Sequence, residues 1–284
     1  SLTFEEGGEQ TLNVKGQVIK GTSLTSLAFP ARSLTFDGKT FENVSTLETV
    51  TFADSTNELV LNESVFKGTA VSSLNFGNRL ITFKKAALNK LATLTSVIFG
   101  ENAIIKQAED EAFTGTSLTT VQIPAVENVS KFGNGVFGGI STLESFTLAE
   151  NNTVHEVVDG VLYLKDGENL ILIQVPAGKF DAQDTFVLPD NVVTIKTYAF
   201  EGVTVDTVYT SADSILATLE KDCFGYYVAT LSCKVKTLVL PATVSKFDAK
   251  AVENCTQLSA INYRGTGIQW GKVVADNNLS LPDS

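Results

Sequence analysis

The chain has 284 residues, a formal net charge of −11 and a pI near 4.6. That acidity excludes nucleic acid and anionic membranes as electrostatic partners, since both would repel it. The hydrophobic fraction of 43% is ample for a core, yet no apolar run approaches the about 18 residues that a membrane span requires. Ser1 stands where an initiator methionine would, and no signal peptide precedes the first apolar pair, which reads as a mature or trimmed fragment.

In chain order, residues 1–21 read as an N-terminal partial repeat or cap, with Leu2 and Phe4 at its start and Val14 and Ile19 five apart. From 22 to 150 one phrase recurs. Triplets of the form L-x-x-L-x-L begin at Leu24, Leu47, Val71, Leu94, Leu118 and Leu143, at intervals of 23, 24, 23, 24 and 25 residues. The last two apolar positions of each, such as Leu27/Phe29, Val50/Phe52 and Leu74/Phe76, are two apart, so they share one face of a short strand. Pro30 and Pro124 follow directly and end the strand, because proline offers no N–H to a ladder. The second half of each repeat carries an apolar residue and another, most often Phe, five further on: Phe36/Phe41, Leu61/Phe66, Phe83/Leu88 and Phe132/Phe137. Stacked repeats would turn these into an aromatic spine, each member contributing roughly 1.5–3 kcal/mol of burial. Gly68-Thr69 and Gly115-Thr116-Ser117 mark tight turns after the Phe, where a positive φ is needed. A fixed period of this length predicts a right-handed leucine-rich solenoid, β-strand-rich with short helical or irregular convex segments, of about ten repeats.

Between 143 and 183 the interval stretches to 40 residues. The extra segment, within 151–182, holds two alternating runs, Val161–Leu164 and Leu170–Val175, joined by Lys165-Asp166-Gly167-Glu168-Asn169, a β-hairpin signal. It reads as a local decoration inserted in the array. Repeats resume over 183–263, with triplets at Gln183, Val205, Val235 and Leu258, the pairs Ile195/Phe200, Leu219/Phe224 and Phe247/Val252, and Pro189 and Pro241 as stops. Residues 264–284, which contain the single tryptophan Trp270, read as a C-terminal cap or linker, and 1–284 as one repeat array.

Catalytic and metal chemistry finds little to work with. His155 is the one histidine, no G-x-S-x-G occurs, and a lone imidazole supports neither a triad nor a His cluster. The carboxylates of Glu5-Glu6 and Glu109-Asp110-Glu111 are adjacent rather than facing across a cleft; the latter could hold calcium only weakly, without D-x-D-x-D-G spacing. Gly133-x-Gly135-x-x-Gly138 matches a dinucleotide fingerprint literally but falls inside a repeat turn. No cofactor or metal is expected. Cys223, Cys233 and Cys255 are odd in number and lack zinc spacing; Cys223 and Cys233 could bridge the segment between them, with Cys255 a small buried residue.

The phrases Ala112–Pro124 and Ile195–Phe200, together with Cys255 in ENCTQL and D-G-V-L-Y followed by V-P-A-G near the hairpin, resemble the BspA-like class of bacterial leucine-rich repeats, a treponemal type. The resemblance covers nearly the whole chain and departs at Ala87-Leu88 and in the extra residues between Cys223 and Lys234. It implies a non-enzymatic, exported protein at a bacterial surface, adhesin-like, whose partner is a host extracellular-matrix protein, another microbial surface protein or a glycan. A carbohydrate-binding scaffold and a passive stalk are the alternatives. The residues on the outward face of each strand would form the contact surface. They read Ser26/Ala28, Thr49/Thr51, Ser73/Asn75, Ser96/Ile98, Thr120/Gln122, Ser145/Thr147, Thr185/Val187, Thr207/Tyr209, Thr237/Val239 and Ala260/Asn262. Thr49, Thr51, Ser73, Asn75, Ser96, Thr120, Gln122, Ser145, Thr147 and Tyr209 are the expected partner-binding positions.

Overall fold

Period-two alternation within the triplets becomes a stack of parallel strands in a computed structural model that describes residues 1–4, 10–17, 19, 21–180, 184–225 and 233–279. Glu5, Glu6 and Gln183, named above, lie outside the described residues. The chain divides into two compact units, Ser1–Val154 and His155–Ser284.

In the first unit the triplet strands Leu2–Thr3, Ser26–Phe29, Thr49–Phe52, Ser73–Asn75 and Ser96–Ile98 form one parallel sheet, and Thr120–Ile123 pairs with Ser145–Leu148 in another. Equivalent repeat positions stand side by side: Leu27 opposite Val50, Leu74 opposite Val97, Val121 opposite Phe146. The second half of the repeat, expected to be short helical or irregular, begins with a strand of its own. Leu12–Val14, Leu34–Phe36, Glu58–Leu61, Leu80–Phe83, Ile104–Ala108 and Ala125–Val126 make a six-stranded sheet. An irregular turn carrying the Phe then leads back.

That turn explains the five-residue spacing. Two residues before the turn Phe or Leu, the backbone is left-handed at Lys39, Ser64, Ala86, Glu111 and Gly135, with φ between 55° and 62°. Two residues after it, Asn43, Gly68, Lys90 and Gly115 are left-handed again, with φ of 63°, 75°, 60° and 77°. The paired reversals aim the side chain inward while its amide reaches the next repeat: Phe41 donates to the Val65 carbonyl at 2.9 Å and Leu88 to that of Ala112 at 2.7 Å. The expected spine exists but is interrupted. Phe41 stacks on Phe66 at 5.3 Å and Phe113 on Phe137 at 4.8 Å, with Leu88 in the turn between. A second, unbroken stack formed by the strand-end rings runs beside it: Phe4, Phe29, Phe52, Phe76 and Phe99 follow one another at 4.9, 5.7, 6.0 and 5.4 Å.

The second unit opens with an antiparallel meander, His155–Val158, Val161–Asp166 and Asn169–Gln174, whose last strand pairs in parallel with Val192–Ile195, then Thr218–Leu219 and Lys246–Phe247. The hairpin is therefore the first rung of this unit's sheet, and the reading of a decoration is corrected. Tyr163, Leu170, Leu172 and Val175 lie in the unit's core. The physical reason is that a parallel sheet ends in an open edge; an antiparallel ribbon covers that edge and turns back on itself through Gly167, at φ 64°. The triplet strands Thr185–Val187, Thr207–Tyr209, Thr237–Leu240 and Ala260–Tyr263 form the other sheet.

At the far end the helix Gly267–Asn277 begins with a capping box between Thr266 and Gln269 and stops at Asn278, left-handed at φ 51°. It seats Trp270 against Phe247 and Tyr263, at 6.5 and 5.1 Å. Asn277 closes the edge strand by accepting from the Phe247 amide and donating to the Ser245 carbonyl. The disulfide joins Cys233 to Cys255, with Cα atoms 4.6 Å apart, and Cys223 is a buried free thiol. A Cys223–Cys233 bridge is thus corrected. Cys233 and Cys255 each precede a triplet by two or three residues, so stacking makes them neighbours, whereas Cys223 sits one residue before Phe224 and faces the core.

Candidate binding surface

Register decides which side chains meet on the outer face of the triplet strands. In the first unit Ser26 stands beside Thr49 and Ala28 beside Thr51; Thr51 stands beside Asn75, Ser73 beside Ser96 and Asn75 beside Ile98. Thr120 stands beside Ser145 and Gln122 beside Thr147 in the separate pair. Thr49, Thr51, Ser73, Asn75, Thr120, Gln122 and Thr147 are exposed, and Ser96 and Ser145 half-buried. Their strand neighbours Val50, Leu74, Val97, Val121 and Phe146 are buried, as alternation requires. Nine of the ten expected positions therefore sit in the first unit, on two sheets, and one rung is apolar: Ile98 is 47% exposed.

The tenth, Tyr209, belongs to the second unit, between Val187 and Val239. Its ring is not an open platform. The Arg264 guanidinium lies 5.3 Å from the ring centroid and donates to the Tyr209 hydroxyl at 2.9 Å, while also reaching the Thr210 carbonyl. Val187 beside it is 61% exposed.

Side chains that cross from repeat to repeat fix the rim of the first unit's face. Asp54 accepts from the Asn78 amide at 2.9 Å and from its side chain, and Asn78 accepts in turn from the Asn102 amide. The Asn78 backbone N–H, then its side chain, hold the Asp54 carboxyl below the usual carboxylate range. Arg79, missed in the sequence, is wholly buried and donates to the carbonyls of Pro30, Arg32 and Ala53, tying three successive turns together. Its only sequence signal is a charge in the second half of a repeat, directly before an apolar strand.

The residues weighed for chemistry are dispersed. His155 is 1% exposed, and burial, with Lys165 nearby, depresses its pKa to about 4, so it is neutral. Burial pushes the Cys223 thiol up and leaves it unreactive. The three carboxylates at 109–111 diverge. Partial burial raises Glu109, but the Lys84 ammonium at 2.9 Å and the Lys85 amide outweigh it. Asp110 accepts from the Asn134 amide, and Glu111 is pushed up by burial despite Lys85 at 3.6 Å. Among the described residues no three His, Cys, Asp or Glu side chains converge as metal ligands, and no helix is long and apolar enough to cross a membrane. Gly135 supplies a left-handed turn, not a phosphate cradle.

Parallel strands repeated on two faces, a ring stack between them and about 11 turns in all define a leucine-rich-repeat β-solenoid. The chain belongs to the BspA type leucine rich repeat family, which matches residues 59–163 and 179–273 in six copies. Among solved structures it is similar in fold to a leucine rich cell surface protein from Faecalibacterium prausnitzii, at 19% identity and a TM-score of 0.53, over 92% of this chain and 85% of that one. It is also similar in fold to the pneumococcal vaccine antigen PcpA, at 18% identity and a TM-score of 0.64, over 84% of this chain and 58% of PcpA. No protein of curated function matches the chain.

Proposed function

We propose that this chain is a binding module of a bacterial cell surface that holds a protein partner on the outer face of its triplet strands. One observation carries the reading. In the first unit, exposed and half-buried hydroxyl and amide side chains stand in register on strand after strand, over a floor that includes stacked rings. Such a face offers many modest hydrogen bonds at fixed spacing and no reactive group, which suits recognition rather than catalysis. Solenoids commonly use this sheet as an extended contact surface. The family, and the surface location printed for the F. prausnitzii relative, support display outside the cell. The Cys233–Cys255 disulfide supports it independently, because such bonds persist in oxidising compartments. A glycan on the same face is the weaker reading, since Arg264 already covers the one aromatic ring in the ladder.

The test begins with capture from host extracellular matrix, serum and microbial surface extracts, with a glycan array alongside. Arg is then placed at Thr120 and Thr147 together. The two positions face outward on neighbouring strands, so the pair should weaken a captured partner by about tenfold or more with melting unchanged. Full affinity in the folded double variant would move the contact off this face.

A further inference from the structure

The strand face of the second unit differs in chemistry from that of the first. Register sets its outward residues in two rows, Thr185, Thr207 and Thr237 in one, Val187, Tyr209 and Val239 in the other. The second row carries no hydroxyl except the phenol, and Val187 on its first strand is 61% exposed. An exposed valine is ordinary by itself. What sets this row apart is the arginine fixed to it. Arg264 directly follows the strand Ala260–Tyr263, and its side chain reaches back past Thr237–Leu240 to Tyr209. Its guanidinium carbon lies 5.3 Å from the ring centroid, and Nη2 donates to the Tyr209 hydroxyl at 2.9 Å and to the Thr210 carbonyl at 3.2 Å.

Ring and carbonyl hold the guanidinium in place without neutralising it. Of the chain's arginines, Arg79 is buried and Arg32 half-buried, while Arg264 is exposed. Arg264 forms none of the ion pairs among the described residues. Both of its side-chain hydrogen bonds leave from Nη2, so the Nε and Nη1 donors are left for a ligand. Lys236, directly before the strand Thr237–Leu240, is already paired with Asp206 at 2.9 Å. One uncompensated cation matches one carboxylate. A phosphate dianion or a run of acids would need further cations, and the net charge of −11 opposes both. Arginine and tyrosine are also the residues that most often carry the energy of a protein contact. A guanidinium already held against a ring loses less freedom when its partner arrives.

We propose that Val187, Tyr209 and Arg264 form a subsite for an extended protein segment bearing one Asp or Glu and an apolar residue within two positions of it. The carboxylate accepts from the remaining donors of Arg264, and the apolar side chain lies on Val187. Tyr209 and Val187 are on neighbouring strands, about 4.8 Å apart, and residues two apart in an extended segment are separated by about 7 Å, so one segment reaches both. The subsite rests on the reading that the strand face meets protein, and it lies in the unit to which Thr120 and Thr147 do not belong.

The test is selection of a phage-displayed library of random linear peptides on the full chain. Enriched peptides, resynthesised with amidated C termini, are expected to share an Asp or Glu within two positions of an apolar residue. Their affinity, by calorimetry, should fall about tenfold or more in Arg264→Gln and less in Arg264→Lys. Val187→Asp, which alters an exposed side chain and leaves Arg264 in place, should weaken them by a similar factor. The double Arg variant at Thr120 and Thr147 should bind them as the parent does. A captured partner lost to that double variant, with peptide affinity undiminished in folded Arg264→Gln and Val187→Asp, would sink this subsite and keep the broader reading. No enriched peptide, enriched peptides without an acid, or binding that requires a free C-terminal carboxylate would each overturn the proposal. So would a dimer in light scattering that Val187→Asp dissociates, which would assign the face to a second copy of the chain.

Discussion

Two buried ionisable residues set the clearest expectations at the scale of single side chains. Arg79 is fully buried and supplies donors to three carbonyls on other turns. Leaving buried carbonyls unpaired costs about 1–3 kcal/mol each, so Arg79→Met should lower the stability of the first unit by about 3–5 kcal/mol in urea, read by circular dichroism. Arg79→Lys keeps the charge but not the fork and should recover only part of the loss; full stability in the Met variant would show that the clamp is dispensable. His155 gives a pH dependence. Its folded pKa of about 4 lies below the ordinary histidine value of 6.5, so between those values the unfolded chain binds more protons than the folded one. The stability is present above pH 6.5 and lost as pH falls towards 4, by about 3 kcal/mol in total. Trp270, packed in the second unit, reports unfolding by fluorescence, and His155→Gln should flatten the acid limb of its denaturation midpoint against pH. Parallel pH profiles for the two proteins would assign the acid sensitivity elsewhere.

Within the repeat, the rings and the hairpin carry the load that the triplets alone do not. The strand-end stack through Phe76 is continuous, while the turn stack breaks at Leu88. Phe76→Ala and Phe113→Ala each empty a wholly buried ring site and should cost on the order of 3–5 kcal/mol, leaving any binding by the molecules that stay folded unaltered. Unchanged melting of both would refute the stacked core. The hairpin prediction follows from its pairing. Replacing residues 161–175 with a short Gly-Ser link removes Tyr163, Leu170 and Leu172 from the core and strips the sheet partner from Val192–Ile195. The second unit should then unfold, seen as Trp270 fluorescence shifting to the solvent-exposed value. A native Trp270 signal in that deletion would restore the picture of a surface decoration.

At the scale of the whole molecule, acidity and repetition shape how a partner would be met. The net charge is −11, while the proposed contact positions carry no ionised side chain. Binding through them should therefore change little with ionic strength, by less than about threefold in Kd between low and high salt. A steep salt dependence in a titration series would point instead to the acidic rims. Nine of the ten expected positions belong to the first compact unit and Tyr209 to the second, so substitutions made in one unit at a time are the natural way to map a partner.

The sequence by itself determined the repeat, its strands and their inward residues, because a side-chain period of two and a fixed spacing of about 24 leave one way to stack. It also located the left-handed turns at Gly68 and Gly115, where the residue type announces the backbone. It could not announce the same turns at Ser64, Ala86 or Glu111, since nothing in those side chains asks for a positive φ and only the stacked neighbours impose it. The tertiary structure alone decided which cysteines meet, that Leu172 pairs with Ile195, that Arg79 reaches back two turns and that Arg264 covers Tyr209. Each of these joins residues more than twenty positions apart. Periodicity fixes which face a residue takes, but the partner it meets there depends on how neighbouring turns pack.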